Sequence, residues 1–337
     1  MSFAALLIIT SASCGGQPAN PSPPPETEGL SDEPLTGELG DTEVKLQELV
    51  KLKMGAGGVS GMYYSYAGAI SGVLQKRVEG LGITVMATQA SKADILSVRD
   101  AELDMAIVQN DVCDYARRGA SLFTEKVSGF SAITGLYAET VHIVAKPGVE
   151  SLADLRGRSV SIGETGSGVE CSALQILEAC GLKAEDVKLL NLGFGESAEA
   201  FLNGEVDAIF CVTAEPNAAI AELAEKTDIV LLEIDDASAE NLIAKYPFYT
   251  KAVISGSEYR DAGRIVRTVA LRALLIVSDS LSEDVVYSMT KALFTFRGEV
   301  AAAHPKGGYL NPASALEGVT VPLHPGAEKY YIEIGIA

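Results

Sequence analysis

The chain has no tryptophan, three histidines and five cysteines in 337 residues, and no Cys-x-x-Cys pair. Cys14, Cys113, Cys171, Cys180 and Cys211 are scattered, as are His142, His304 and His324. Structural zinc needs closely spaced ligand pairs, so no metal site is expected. Cys171 and Cys180 stand nine residues apart. On one helix that spacing puts them on opposite sides, which argues against a disulfide. Basic residues are also scarce, with 26 Lys and Arg against 45 Asp and Glu and a net charge of -19. Nucleic-acid binding and charge-driven docking on anionic lipid both need a basic face, so neither is expected. A small anion remains possible, because backbone N–H groups bind anions without net positive charge. No run of about 18 apolar residues is present, so no membrane span is expected. The Gly-Lys-Ser/Thr ending of a phosphate-binding loop and the Gly-x-Ser-x-Gly turn of a serine hydrolase are both missing. No pair of acids has a spacing that argues for acid–base catalysis, and no catalytic residue or cofactor is assigned.

What is present begins with a short apolar run, Phe3 to Thr10, followed by Ser11-Ala-Ser-Cys-Gly-Gly16. This pattern reads as a signal peptide over residues 1–13, with Cys14 placed like the lipid-modified cysteine of a bacterial lipoprotein. No Lys or Arg precedes the run, and Ser11 stands where such motifs usually carry Leu. An ordinary cleaved signal is the alternative. Residues 14–43 hold Pro18, Pro21, Pro23, Pro24, Pro25 and Pro34 among several acids. Proline and like charges disfavour a packed core, so this segment reads as a disordered acidic tether.

From Val44 onward, strand-like runs alternate with helical spacing. Val50 to Met54, Gly82 to Ala87 and Met105 to Gln109 read as strands. Tyr64 to Val78 and Lys92 to Asp100 read as helices. The pattern restarts with strands at 140–146 and 159–163, a helix ending near Cys180, and strands at 187–192 and 208–212. A late strand at 266–271 and a helix from Ser282 to Phe296 follow, with Ser282 as N-cap. The expected architecture is α/β, with two lobes that are each a mostly parallel sheet flanked by helices. Lobe I would comprise 44–140 plus 252–337 and lobe II 141–251, with a cleft between them.

Two glycine-rich turns carry the chemistry. Gly55-Ala-Gly-Gly-Val-Ser-Gly61 follows a strand and opens a helix, and Gly163-Glu-Thr-Gly-Ser-Gly168 does the same in lobe II. Helix N-termini with exposed N–H groups attract anions. Ser60, with Tyr63 or Tyr64, would add hydroxyl donors. A dinucleotide fingerprint is the rival reading of the first turn. It fails on Ser60 and on the missing acid at the end of Val85-Met-Ala-Thr88. His142 lies in an apolar run and reads as a core or hinge histidine.

These residues resemble the TAXI-type extracytoplasmic solute receptors of tripartite ATP-independent periplasmic (TRAP) transporters. The resembling stretches are Met54 to Tyr64, Asp104 to Asp111, Leu136 to Val144 and Asp154 to Gly163. Gly166-Ser-Gly168, Gly204 to Ala208 and Pro322-Leu-His-Pro-Gly-Ala327 complete the ordered set. The resemblance implies a type II periplasmic-binding-protein fold that closes on a small carboxylated solute. The solute would be an amino acid such as glutamate or glutamine, or a dicarboxylate, delivered to a membrane permease. It further implies contacts at Gly57, Gly58, Ser60 and Tyr63, at Ser91 and Asp94, at Gln109 and Asp111, and at Gly166, Ser167 and Gly168. Tyr137 and Glu139 would lie where hinge and cleft meet. Two positions depart from the family. Asp94 stands where an Asn is usual, and Val169 replaces a Thr, removing a hydroxyl. A carboxylate at 94 would repel an anion or pair with an ammonium. The reading is therefore a non-enzymatic receptor outside the cytoplasm, tethered to the bilayer if Cys14 is lipid-modified. The alternatives are a nucleotide-dependent α/β enzyme and a ligand-sensing surface lipoprotein.

Overall fold

The computed structural model describes residues 44–59, 61–255, 259 and 264–336. The expected signal peptide, Cys14, the expected tether and Ser60 therefore lie outside the described residues. The chain runs through β1 (Val44–Gly55), α1 (Met62–Arg77), β2 (Val78–Met86), α2 (Ser91–Arg99), β3 (Met105–Gln109) and α3 (Asn110–Arg118). Next come β4 (Phe130–Ala145), β5 (Ser159–Ser161), α4 (Gly168–Ala179), β6 (Lys188–Leu190), α5 (Phe194–Asn203) and β7 (Ala208–Thr213). Then follow α6 (Ala218–Lys226), β8 (Val230–Leu231), α7 (Asp236–Lys245), β9 (Thr250–Ser255) and β10 (Ile265–Ser278). The last helices are α8 (Glu283–Thr295), α9 (Arg297–Ala303) and α10 (Pro325–Glu333).

Local patterns account for the main elements. In α1 the residues Tyr66, Ala67, Ile70, Val73 and Leu74 are buried, a stripe at the helical period that faces the sheet. Ser282 caps α8, its Oγ accepting from the Val285 N–H at 3.4 Å, as the sequence predicts. All five residues of β3 are buried, as a central strand requires.

The strands form one mixed sheet in the order β2-β1-β3-β10-β4-β7-β5-β6, with β8 on β4 and β9 on β10. The fold is α/β. β1 pairs parallel with β2 and β3 at one end, and β5 pairs parallel with β6 and β7 at the other. Between these parallel groups run β10 and β4, antiparallel to each other and to their outer neighbours β3 and β7. The two middle strands are 16 and 14 residues long, whereas the sequence shows strand pattern only at 140–146 and 266–271. Gly135 interrupts the pattern in β4. A Cβ there would stand 2.7 Å from the Glu317 carbonyl oxygen and 3.1 Å from Arg272 Nε. The pairing register shifts between Arg272 and Leu274, opposite this glycine. Glycine inside a strand marks such a close approach.

The middle strands serve two cores. Ile133, Leu136 and Tyr137 of β4 join a cluster with Met54, Ile70, Ile107, Met289 and Tyr331. Val141, Ile143 and Ala145 of the same strand join a second cluster with Val160, Ile176, Phe210 and Leu242. In β10 the change of cluster falls between Leu271 and Ala273. His142 sits in the interior of β4, fully buried. Its Nδ1 is 3.0 Å from the Thr140 carbonyl oxygen and its Nε2 3.1 Å from the Tyr259 hydroxyl. Burial lowers its pKa to about 4, so it is a neutral core histidine. Cys171 lies in α4 and Cys180 just beyond it. Both are free thiols, as are Cys113 and Cys211.

Candidate functional site

A cleft enclosing about 760 Å³, part of it open to solvent, lies at the carboxyl ends of the parallel strands. Ala56 follows β1, Gln109 ends β3, Gly163 follows β5, Leu192 follows β6 and Thr213 ends β7, and all five line it. Ligands of open α/β sheets sit at this edge, because the strand-to-helix turns converge there.

The first residues of five helices surround the same space. The N-cap residues of α1 to α5 are Gly61, Ala90, Gln109, Ser167 and Gly193, and every one lines the cleft. In α1, α2 and α3 the N-cap side chain makes no cap, though in α3 Asp111 Oδ1 takes up the Val112 N–H of the first turn. Ser167 does cap α4, its Oγ accepting from the Glu170 N–H at 3.1 Å. Its hydroxyl proton is then free to donate. Each helix start carries about half a positive charge from the aligned peptide dipoles. Two turns depend on glycine. Gly57 has φ +62 and Gly163 has φ +86, and a Cβ on Gly163 would stand 2.6 Å from Val169 Cβ.

Facing these helix starts are two buried acids and one half-buried acid. Among the described residues lining the cleft there is no Lys, Arg or His, while Asp94, Glu139 and Glu164 are present. Asp94 is 1% exposed; its Oδ2 accepts from the Thr88 hydroxyl at 3.0 Å and its Oδ1 has no partner. Burial raises its pKa to about 7, against the opposing pull of the Thr88 hydroxyl and of the Gly57 backbone N–H. Glu139 is 2% exposed and its Oε2 accepts from the Tyr63 hydroxyl at 2.6 Å. Burial raises its pKa to about 8, helped by the nearby charge of Asp111. Burial also raises Glu164 above its usual value, with Glu196 adding to the shift.

Of the residues singled out from sequence, Gly57, Gly58, Tyr63, Ser91, Asp94, Gln109, Glu139, Ser167 and Gly168 line the cleft. Three described ones do not. Asp111 is fully buried behind Gln109, its Oδ1 accepting from Gln109 Nε2 at 2.9 Å and from the Val112 N–H at 2.7 Å. It therefore holds the first turn of α3 rather than facing the cleft. Tyr137 shares a strand face with Glu139 but lies one step further in, where the Tyr66 ring covers it edge-on at 5.4 Å. Gly166 sits off the lining with φ +79, its N–H held by Glu170 Oε2 at 2.7 Å. The Tyr63 hydroxyl is already committed to Glu139, so it is not a free donor for a ligand.

Sequence reading passed over a third strand–glycine–helix junction, Leu192-Gly193-Phe194, which carries the same signal as the two turns it used. It also passed over Gln89 and Thr213, which line the cleft but belong to no motif, and over Met62, which lies within a motif without being singled out. The two ends of the sheet meet at Gln109. Its Nε2 donates to Asp111 and, at 3.3 Å, approaches Ser172 Oγ on α4. Among the described residues no group of three or more His, Cys, Asp or Glu could hold a metal ion.

Solved structures with a similar fold are distant. The alkanesulfonate-binding protein SsuA from Xanthomonas axonopodis pv. citri, bound to MOPS, is 16% identical over 85% of each chain, with a TM-score of 0.48. The periplasmic aliphatic sulphonate binding protein SsuA from Escherichia coli is 16% identical over 84% of this chain and 78% of its own, with a TM-score of 0.48. A periplasmic binding protein from Salmonella typhimurium with high arginine specificity is 15% identical over 77% of this chain and 96% of its own, with a TM-score of 0.41. The sequence itself matches the model of the NMT1-like family across residues 54–335, which spans the cleft and both ends of the sheet, and the chain belongs to that family.

Proposed function

We propose that this protein is a solute-binding receptor that works outside the cytoplasm and hands a small carboxylated solute to a membrane permease. The observation that carries the reading is the meeting of five helix N-termini at one cleft with no basic side chain among its described lining residues. Backbone N–H groups and the Ser167 hydroxyl would hold the carboxylate, as helix starts commonly do for anions. Two lobes, 44–140 plus 252–337 and 141–251, would close on the solute by bending where β4 and β10 pass from one core to the other. The ordered motifs from Met54 to Ala327 support the TAXI type of receptor and a TRAP permease as partner. Cys14 and the tether over residues 14–43 would then keep the receptor at the membrane surface. Thermal-shift screening with organic acids and amino acids tests the binding claim. A ligand that binds only the folded state raises its stability, so a rise with at least one carboxylate is expected. No rise with any of them contradicts the reading.

A further inference from the structure

We propose that the solute carries a protonated nitrogen and at most one carboxylate, and that Asp94 and Glu139 hold the nitrogen. This rests on the reading of the cleft as a solute site and narrows its ligand class from carboxylated solutes at large to zwitterions or cations. The described lining holds three acidic side chains and no base. Lys92 is the next residue along α2 from Ser91, but its Nζ turns to the Phe123 ring, 5.8 Å from the centroid. A second carboxylate on the solute would face these acids with only helix dipoles to offset them. Asp94 is the more telling acid. Its Oδ2 is satisfied by Thr88, yet its buried Oδ1 has no hydrogen-bond partner. Ionised, that oxygen lacks a donor. Protonated, it becomes a donor with no acceptor within reach. A ligand N–H resolves the ionised case, because buried carboxylates require a charged or hydrogen-bonding partner. Glu139 offers the second acceptor, its Oε2 oriented by the Tyr63 hydroxyl at 2.6 Å. Gly55 lets the Asp94 carboxylate approach β1, since a Cβ at that position would lie 2.9 Å from Oδ1.

The test titrates the purified full chain with glutamine, alanine and arginine. Beside them run propionate and lactate, which are alanine with its amine removed or replaced by hydroxyl, 4-carbamoylbutyrate, which is glutamine without its amine, and glutarate and glutamate, which carry a second carboxylate. Expected is tighter binding of at least one amine-bearing monocarboxylate, by tenfold or more, over its deaminated counterpart and over glutamate. Asp94→Asn keeps the Thr88 hydrogen bond and should cut that preference at least tenfold, and Glu139→Gln provides a second, independent reading. Glutarate or glutamate binding as tightly as glutamine overturns this inference and leaves the receptor reading standing. An unchanged preference in both folded variants overturns the assignment of Asp94 and Glu139. Failure of every carboxylate to bind overturns the receptor reading itself.

Discussion

Gly168→Ala is predicted to destabilise the protein through one side chain, Gln109. A Cβ on Gly168 would stand 2.4 Å from Gln109 Nε2, 2.5 Å from Cδ and 2.6 Å from Oε1, so the amide has to leave. It is 3% exposed and holds Asp111 Oδ1 at 2.9 Å and Ser172 Oγ at 3.3 Å. Losing a hydrogen bond to a buried carboxylate costs about 1–3 kcal/mol, and the weaker contact to Ser172 adds roughly 1 kcal/mol. Ala is favoured over Gly in a helix by about 0.5–1 kcal/mol, and by less at a first helical position. The net loss is therefore about 1–4 kcal/mol. At roughly 2–4 °C per kcal/mol for domains of somewhat smaller size, the melting temperature should fall by several degrees. Urea unfolding of wild type, Gly168→Ala, Gln109→Ala and the double variant forms the cycle. In the Gln109→Ala background the added methyl no longer meets the amide, and Gly168→Ala should be neutral or slightly stabilising. Equal losses in both backgrounds would refute the reasoning, as would no loss in the first.

Ser167→Ala removes the cap on α4 and should cost about 0.5–2 kcal/mol of stability. It should also weaken solute binding, and calorimetry on the folded variant separates the two effects. Glu139 has its pKa raised to about 8 from an ordinary 4.5. A raised carboxyl stabilises the fold fully below about pH 4.5 and loses that contribution as pH rises through 8. Glu139→Gln should therefore lose less stability than wild type between pH 5 and pH 8, and parallel pH profiles would contradict this. Cys171 is buried against Ser121, its Oγ 3.3 Å away, and burial raises the thiol pKa to about 12. Its labelling by a thiol reagent should be slow and slower still with solute bound, whereas half-buried Cys180 should react first.

Much of the site is written in local sequence, because a strand, a glycine turn and a helix N-terminus are adjacent in the chain. Gly57, Gly58, Ser167 and Gly168 were legible for that reason, and Leu192-Gly193-Phe194 was equally legible but overlooked. Asp94 stood out as an acid near a proposed anion, and the structure shows it buried with an unpaired oxygen. Asp111 and Tyr137 lie off the cleft lining, because proximity to a strand end does not say which way a side chain turns. The first caps its own helix turn, and the second is roofed by Tyr66. The single sheet was hidden for a different reason. Gly135 and Arg272 break the apolar runs of β4 and β10, so each strand showed only part of its length. The convergence of five helix starts depends on strand order, which no local pattern encodes.

The structure of the protein with its tightest-binding solute tests the central claim most directly. The carboxylate should lie about 2.7–3.2 Å from backbone N–H groups at the cleft's helix starts or from Ser167 Oγ, with the solute nitrogen at Asp94 or Glu139. A solute bound outside this cleft, or one inside it whose carboxylate turns away from every helix N-terminus, would contradict the account.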